Sequence, residues 1–174
     1  MHALRVVQAG EEADRPDDGR DADVLTIIVD TREKPHAIKT ILAQFNAAGV
    51  EVIRQKLDAG DYMVPGGTVS VDRKQNLLEV CGNVCQQHAR FSRECQRAQE
   101  SGVRLVFLVE HGGKVRTLED VKAWKNPRLD ISPYAVSGVR LWRIMQTYAE
   151  KYGVEWQFCD KRQTGKRIME ILTE

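Results

Sequence analysis

The stretch GDYMVPGGTVSVDRK, residues 60–74, constrains the fold more than any other because it fixes a strand register. Two short apolar-alternating runs flank Gly66-Gly67, and a Gly-Gly pair supplies the positive φ angles that a two-residue hairpin loop needs. Counting outward pairs Pro65 with Thr68, Val64 with Val69, Met63 with Ser70, Tyr62 with Val71 and Asp61 with Asp72. The strand period of two then gives one apolar face of Tyr62, Val64, Val69 and Val71. The other face collects Asp61, Met63, Ser70, Asp72 and Lys74. Like charges directly opposed in a ladder are destabilising by a few tenths to about 1 kcal/mol. A divalent cation offsets that, since hard oxygen ligands suit Mg²⁺ or Mn²⁺. Lys74 would bring an ammonium beside a metal-bound water. Taken alone, such a hairpin face is more often simply solvated, with Lys74 in a salt bridge.

The chain around this hairpin alternates strand and helix signals. VLTIIVD (24–30) is a β-branched run that reads as a buried strand, and VEVIRQKL (50–57) reads as a second. Between them Pro35 suits a first helical turn, and Ile38, Ile41, Leu42 and Phe45 repeat at helical spacing until Gly49. Residues 75–100 read as helical with an interruption at Gly82-Asn83, and VRLVFLVE (103–110) as another buried strand. Thr117 and Asp120 form a capping-box start, residues 135–152 an amphipathic helix, VEWQFC a last strand and TGKRIMEIL a last helix. The expected architecture is α/β: a mixed central β-sheet flanked by helices.

A length of 174 residues suits one domain, and 42% hydrophobic with 29% charged residues is the composition of a soluble globular chain. No run approaches the ~20 apolar residues of a membrane span, and the N-terminal apolar run is too short for a signal peptide, so a cytoplasmic location is expected. The net charge of +1 hides an asymmetry: residues 1–23 hold three Arg against seven Asp or Glu, while the rest holds 23 Lys or Arg against 18 acids. The expected organisation is a disordered acidic leader over 1–23 and a single domain over 24–174, with a core to about residue 110 and a helical part over 114–174. The mildly basic domain permits nucleic-acid binding. Cys81, Cys85 and His88 share one helix face with Cys95. A single straight helix cannot wrap four ligands around one tetrahedral ion, so these cysteines are expected to be small buried hydrophobes rather than a zinc set.

Four acids come to strand ends in this arrangement: Asp30 after the first strand, Glu33 opening the next helix, Asp61 before the hairpin and Asp72 within it. With Lys74 they form a set able to bind a divalent metal, activate water and hydrolyse a phosphodiester. VDTRE (29–33), GDY (60–62) and VDRK (71–74), in this order, resemble the XPF-type nuclease domain of the PD-(D/E)XK superfamily. The likeness runs from about residue 26 to residue 110.

This resemblance implies a restriction-endonuclease-like core with Asp30, Asp61 and Asp72 on Mg²⁺ or Mn²⁺, Glu33 beside them and Lys74 catalytic. It places Arg32 and Arg73 in the family signature and Arg90 near the scissile phosphate. Arg93 and Arg97 continue the helical spacing of Arg90 and would face DNA, or else form a solvated face with Glu94 and Glu100. Two departures stand out. Asp72 replaces the usual glutamate, and the final acid of the signature falls on Leu78, with Glu79 one residue later. The implied activity is metal-dependent cutting of branched DNA near a junction, of use in DNA repair or recombination, by a homodimer paired through C-terminal helices. Two alternatives stand beside it: a DNA-binding or scaffolding partner of an active nuclease, and a restriction- or resolvase-type enzyme.

Overall fold

The computed structural model describes residues 24–111 and 113–174, together with the backbone of residues 6–8. In chain order the main elements are β1 (Val6–Gln8), β2 (Thr26–Val29), α1 (Lys39–Ala47), β3 (Glu51–Arg54), β4 (Tyr62–Met63), β5 (Val69–Lys74), α2 (Leu77–Cys81), α3 (His88–Glu100), β6 (Arg104–Glu110), α4 (Gly138–Tyr152), β7 (Glu155–Cys159) and α5 (Thr164–Leu172). Among the described residues the strands form one seven-stranded sheet in the order β1-β3-β2-β4-β5-β6-β7. Only β4 runs against its neighbours, β2 and β5; the other pairs are parallel. The mixed α/β sheet expected from the sequence is therefore present. It continues past residue 110 into β7, and β1 lies within the stretch expected to be a disordered leader. Two consecutive β-branched residues, Val6 and Val7, pair there with Val52 and Ile53. The rest of 1–23 lies outside the described residues.

Both faces of the sheet are covered, which is why β6 is an unbroken apolar run. Leu105, Phe107 and Val109 point to one side, into a core with Leu77, Val80, Phe91, Cys95, Leu141 and Met145 from α2, α3 and α4. Val106 and Leu108 point to the other, among Ile38, Ile41, Phe45, Ile168 and Ile171 at α1 and α5. Cys81 and Cys95 are buried as small hydrophobes, whereas Cys85 is exposed. Segment 77–100 is not a single straight helix: residues 82–86 form a π-helical turn between α2 and α3, at the interruption read from Gly82-Asn83. Thr117 and Asp120 exchange the expected capping bonds, but they start only a short 3-10 turn, Glu119–Ala123. The apolar stripe of α4 is largely spent inside the chain, since Leu141, Met145 and Tyr148 are buried.

The hairpin has the expected register, with Tyr62 opposite Val71 and Met63 opposite Ser70. Its turn is different. Val64 O accepts the N–H of Gly67 at 2.9 Å, so Pro65 and Gly66 are the central residues, and only Gly66 has a positive φ, 68°. Proline presets the first central position of such a turn and glycine the second, the type II pattern, which moves the turn one residue earlier than a Gly-Gly loop. Because β4 is antiparallel, its N-terminal end reaches the edge where β2, β5, β6 and β7 end. That edge therefore gathers Asp30, Asp61, Asp72, Lys74 and Glu110 from distant parts of the chain.

Candidate active site

A cleft of about 360 Å³ opens at this edge between the β4–β5 pair and the α2–α3 segment. Asp61, Asp72 and Lys74 line its floor, Glu33 and Arg32 one side, and Glu79, Arg90, Phe91 and Glu94 the other. A larger cleft of about 420 Å³ sits at the β6–β7 end of the same edge, lined among others by Arg116, Asp160 and Lys166. The smaller cleft is the candidate because it holds the half-buried Asp61 and the buried Asp72, both with raised pKa, whereas Asp160 is spent on Arg162.

Asp61 and Asp72 are placed by the backbone. Gly60 has φ +76°, and a Cβ there would lie 2.2 Å from Ser70 Oγ, so only glycine brings the chain close enough to β5. The N–H groups of Asp30 and Asp61 then bond to Asp61 O and Val71 O, both at 2.8 Å. One Asp61 oxygen accepts the Arg73 N–H at 2.8 Å. Burial raises the Asp61 pKa well above the ordinary carboxylate range, and the charges of Asp72 and Glu33 add to it. Asp72 is raised to about 6, chiefly by burial, with Lys74 pulling it back. The Lys74 ammonium lies 2.6 Å from Asp72 Oδ1. That oxygen is buried and has the ammonium as its close partner. Burial alone would discharge Lys74, but the charges of Asp72 and Asp61 outweigh it and hold the ammonium protonated beyond its ordinary range. The ammonium also lies 5.5 and 5.4 Å from the ring centroids of Phe91 and Phe107.

The remaining predicted residues divide. Asp30 is fully buried and spends both oxygens on Arg32 and the Leu57 N–H, at 2.7–2.9 Å. Burial works to raise its pKa, but these bonds and the Arg32 charge bring it below the ordinary value. Asp30 therefore anchors Arg32 and does not line the cleft. Arg73 lines the cleft yet is 9% exposed, and its fork grips Glu110 at 2.7 and 3.2 Å. Thr164 Oγ1 donates to the same Glu110 at 2.8 Å, tying β5, β6 and α5 together. Arg73 is thus a buried strut and not a free DNA contact. Arg90 is exposed in the cleft; Arg93 points elsewhere, and Arg97 donates to Asp58 O. Glu33 accepts from Tyr62 Oη at 3.2 Å. Glu79 reaches back to the Gln75 N–H at 2.8 Å while Asn76 caps Glu79, a reciprocal cap that still leaves Glu79 on the cleft wall.

Two acids escaped the sequence reading. Glu94 faces the cleft and accepts the Gly60 N–H at 3.1 Å. Its signal was its place one residue before Cys95 of the buried stripe, with Arg90 one residue before Phe91. Glu110 was visible only as an acid closing the apolar run Leu105–Val109.

For a hard cation, Asp72 Oδ1, whose close partner is the displaceable Lys74 ammonium, and the second oxygen of Asp61 are fitting donors. Mg²⁺ commonly takes one or two carboxylates and completes its shell with water and phosphate oxygens. The four-acid set does not preassemble: among the described residues no three His, Cys, Asp or Glu side chains stand together as a metal site. Asp30 is held by Arg32 and Asp72 by Lys74, which accounts for the difference.

The fold and motifs of this edge have known counterparts. XPF from Aeropyrum pernix superposes with a TM-score of 0.59 at 21% identity, over 84% of this chain and 63% of that one. The same protein in complex with DNA gives 0.59 at 19% identity, over 86% and 64%. The chain thus spans less than two thirds of these proteins. Curated protein sequences give no match. The model of the ERCC4 domain matches residues 29–164, a span that runs from the end of β2 to the first residue of α5 and encloses every residue of the cleft, so the chain belongs to the ERCC4 domain family.

Proposed function

We propose that this chain is a divalent-metal-dependent endodeoxyribonuclease that hydrolyses a phosphodiester bond near junctions in branched DNA. The observation that carries it is the gathering of Asp61, Asp72 and Lys74 in one cleft floor, with buried Asp72 paired to the Lys74 ammonium. Asp61 and Asp72 would hold Mg²⁺ or Mn²⁺, with Glu33 close by. When bound, such an ion lowers the pKa of a water and neutralises charge on the phosphate.

The chain's own groups do the rest. Once Asp72 turns to a cation, Lys74 is free to donate from Nζ to the attacking water or to a phosphate oxygen. Before a cation binds, the charges of Asp72 and Asp61 keep that ammonium protonated; afterwards Nζ can orient the water or help take its proton, and stabilise charge on the phosphate. Arg90 faces the cleft from α3 and can pair with a phosphate. Arg32, held by Asp30, keeps a positive edge beside Glu33. Glu110 and Thr164 lock Arg73, and with it the strand that presents Asp72 and Lys74.

A second reading has its own support: the closed Asp72–Lys74 pair, with Leu78 where the family signature has an acid, fits a DNA-binding scaffold of an active subunit. Incubation with fork, 3′-flap and four-way-junction DNA, with and without Mg²⁺, separates them. Metal-dependent cutting that Asp72→Ala abolishes supports the enzyme; tight binding without cutting by either protein supports the scaffold. A homodimer is part of this proposal. Since the α4 stripe is buried within the chain, pairing would use other C-terminal residues, and sedimentation velocity reads it directly. Among the described residues no helix is long and apolar enough to cross a membrane. Four free cysteines fit a reducing compartment such as the cytoplasm.

A further inference from the structure

The loop between β6 and α4 carries the two most exposed large apolar side chains among the described residues. Ile131 is 88% exposed and Tyr134 89%. Neither belongs to a core cluster, and both cost free energy in water. The loop that carries them is nonetheless held in shape. Asn126, 4% exposed, donates from Nδ2 to Val136 O at 2.8 Å and accepts the Arg128 N–H at 3.0 Å, clasping the loop at its neck. Within it Ile131 and Ser132 donate to Arg128 O, and Ala135 to Ser132 O, at 2.9–3.1 Å. Pro127 and Pro133 stiffen the backbone further. Such a loop presents Ile131 and Tyr134 with little ordering left to do on binding.

The position of the loop gives it a partner. Tyr134 and Arg128 line a notch of about 220 Å³ with Gly82 and Gln86 of the π-helical turn. Asn83 and Gln87, interleaved with those residues, line the candidate active cleft. One short turn thus separates Tyr134 from the cleft that holds the carboxylates. Lys125 and Arg128 give the loop two cations against Asp130. An aliphatic wedge, an aromatic face and flanking cations match unstacked bases beside a phosphate backbone.

We propose that Ile131 and Tyr134 form a junction wedge that stacks on the first unpaired base of branched DNA and so sets where the cleft engages the duplex. This rests on the nuclease reading above, and the wedge would supply the branch recognition for which the catalytic residues provide no geometry.

The test uses the full chain and a DNA fork carrying 2-aminopurine at the first unpaired position, with a plain duplex of equal length beside it. The wild type should quench the fluorophore and prefer the fork. Ile131→Ala with Tyr134→Ala should lose the quench and weaken fork binding about tenfold, with duplex affinity unchanged. Tyr134→Phe should retain both, because the ring face is kept. Equal fork binding and quenching by the double variant would overturn the wedge while leaving the nuclease reading intact. So would a double variant whose only change is a smaller sedimentation coefficient, which would make the patch a protein interface. A wild type that binds neither DNA would instead remove the nuclease reading itself, and the wedge with it.

Discussion

Lys74 Nζ stands 2.6 Å from Asp72 Oδ1, two residues away on the same face of β5, with both side chains buried. The ammonium occupies the place where a cation would be drawn. Binding a metal is therefore an exchange of one positive charge for another, and protons enter the same competition.

That competition predicts a pH dependence. The Asp72 pKa rises from 3.8 in its ordinary state to about 6 in the folded chain. Between these values the folded state holds a proton that the unfolded state has released. The stability it contributes is complete below the lower value and is lost as pH rises through the higher one. A cation competes with that proton and with the one Asp61 holds, so cation affinity should drop by at least about tenfold per pH unit below the folded pKa of Asp72. Thermal shift on adding Mn²⁺ should be small at about pH 5 and large at about pH 7.5. An equal shift at both would remove Asp72 from the cation site.

The buried strut makes a second prediction. Glu110→Ala leaves the Arg73 guanidinium buried beside only a distant Glu33, 3.8 Å away. Breaking one side of a buried ion pair costs about 3–5 kcal/mol, against about 1.5–3 kcal/mol for the hydroxyl bonds to Glu110 and Lys161 lost in Thr164→Val. Urea unfolding of the two variants should show that ordering. A loss below about 1 kcal/mol for Glu110→Ala would mean that Arg73 finds another partner or water.

Arg90 and Arg93 separate under salt. Arg90 is exposed in the cleft, whereas Arg93 is exposed outside it. Each phosphate neutralised adds about 0.9 to the slope of log affinity against log salt for duplex DNA. Arg90→Ala should lower that slope by about this amount, and Arg93→Ala should leave it unchanged, in anisotropy titrations over a salt series. The reverse result would turn the DNA to the other side of α3.

The difference between Asp61 and Asp30 shows what the chain discloses in advance. The hairpin register could be counted because both halves are adjacent in sequence, and it holds even though Pro65 moves the turn. Asp30 looked equally catalytic, yet a local fork from Arg32, two residues on, captures its carboxylate. That is a side-chain geometry which no residue pattern states. Glu94 was hidden because its aim depends on how α3 docks through Phe91, Cys95 and Ala98. Glu110 and Thr164 meet only after β6 and α5 have packed, 54 positions apart. Elements and order were therefore legible, and so was the meeting of Asp61 and Asp72 in one cleft. Partners brought together by packing of distant elements were not.

Lys74→Met isolates the role of the ammonium. Methionine keeps an unbranched stem to lie between Phe91 and Phe107, and it removes the charge that competes for Asp72. If the ammonium is both rival of the cation and donor to the reacting phosphate, its loss should push two measurements apart. Mn²⁺ should bind more tightly at neutral pH, while single-turnover cleavage of a fork should slow by about 10²-fold or more, the scale for losing one preorganised donor. Weaker Mn²⁺ binding would make Lys74 a support of the cation site. Cleavage at the wild-type rate would make it only a counter-ion for two crowded carboxylates.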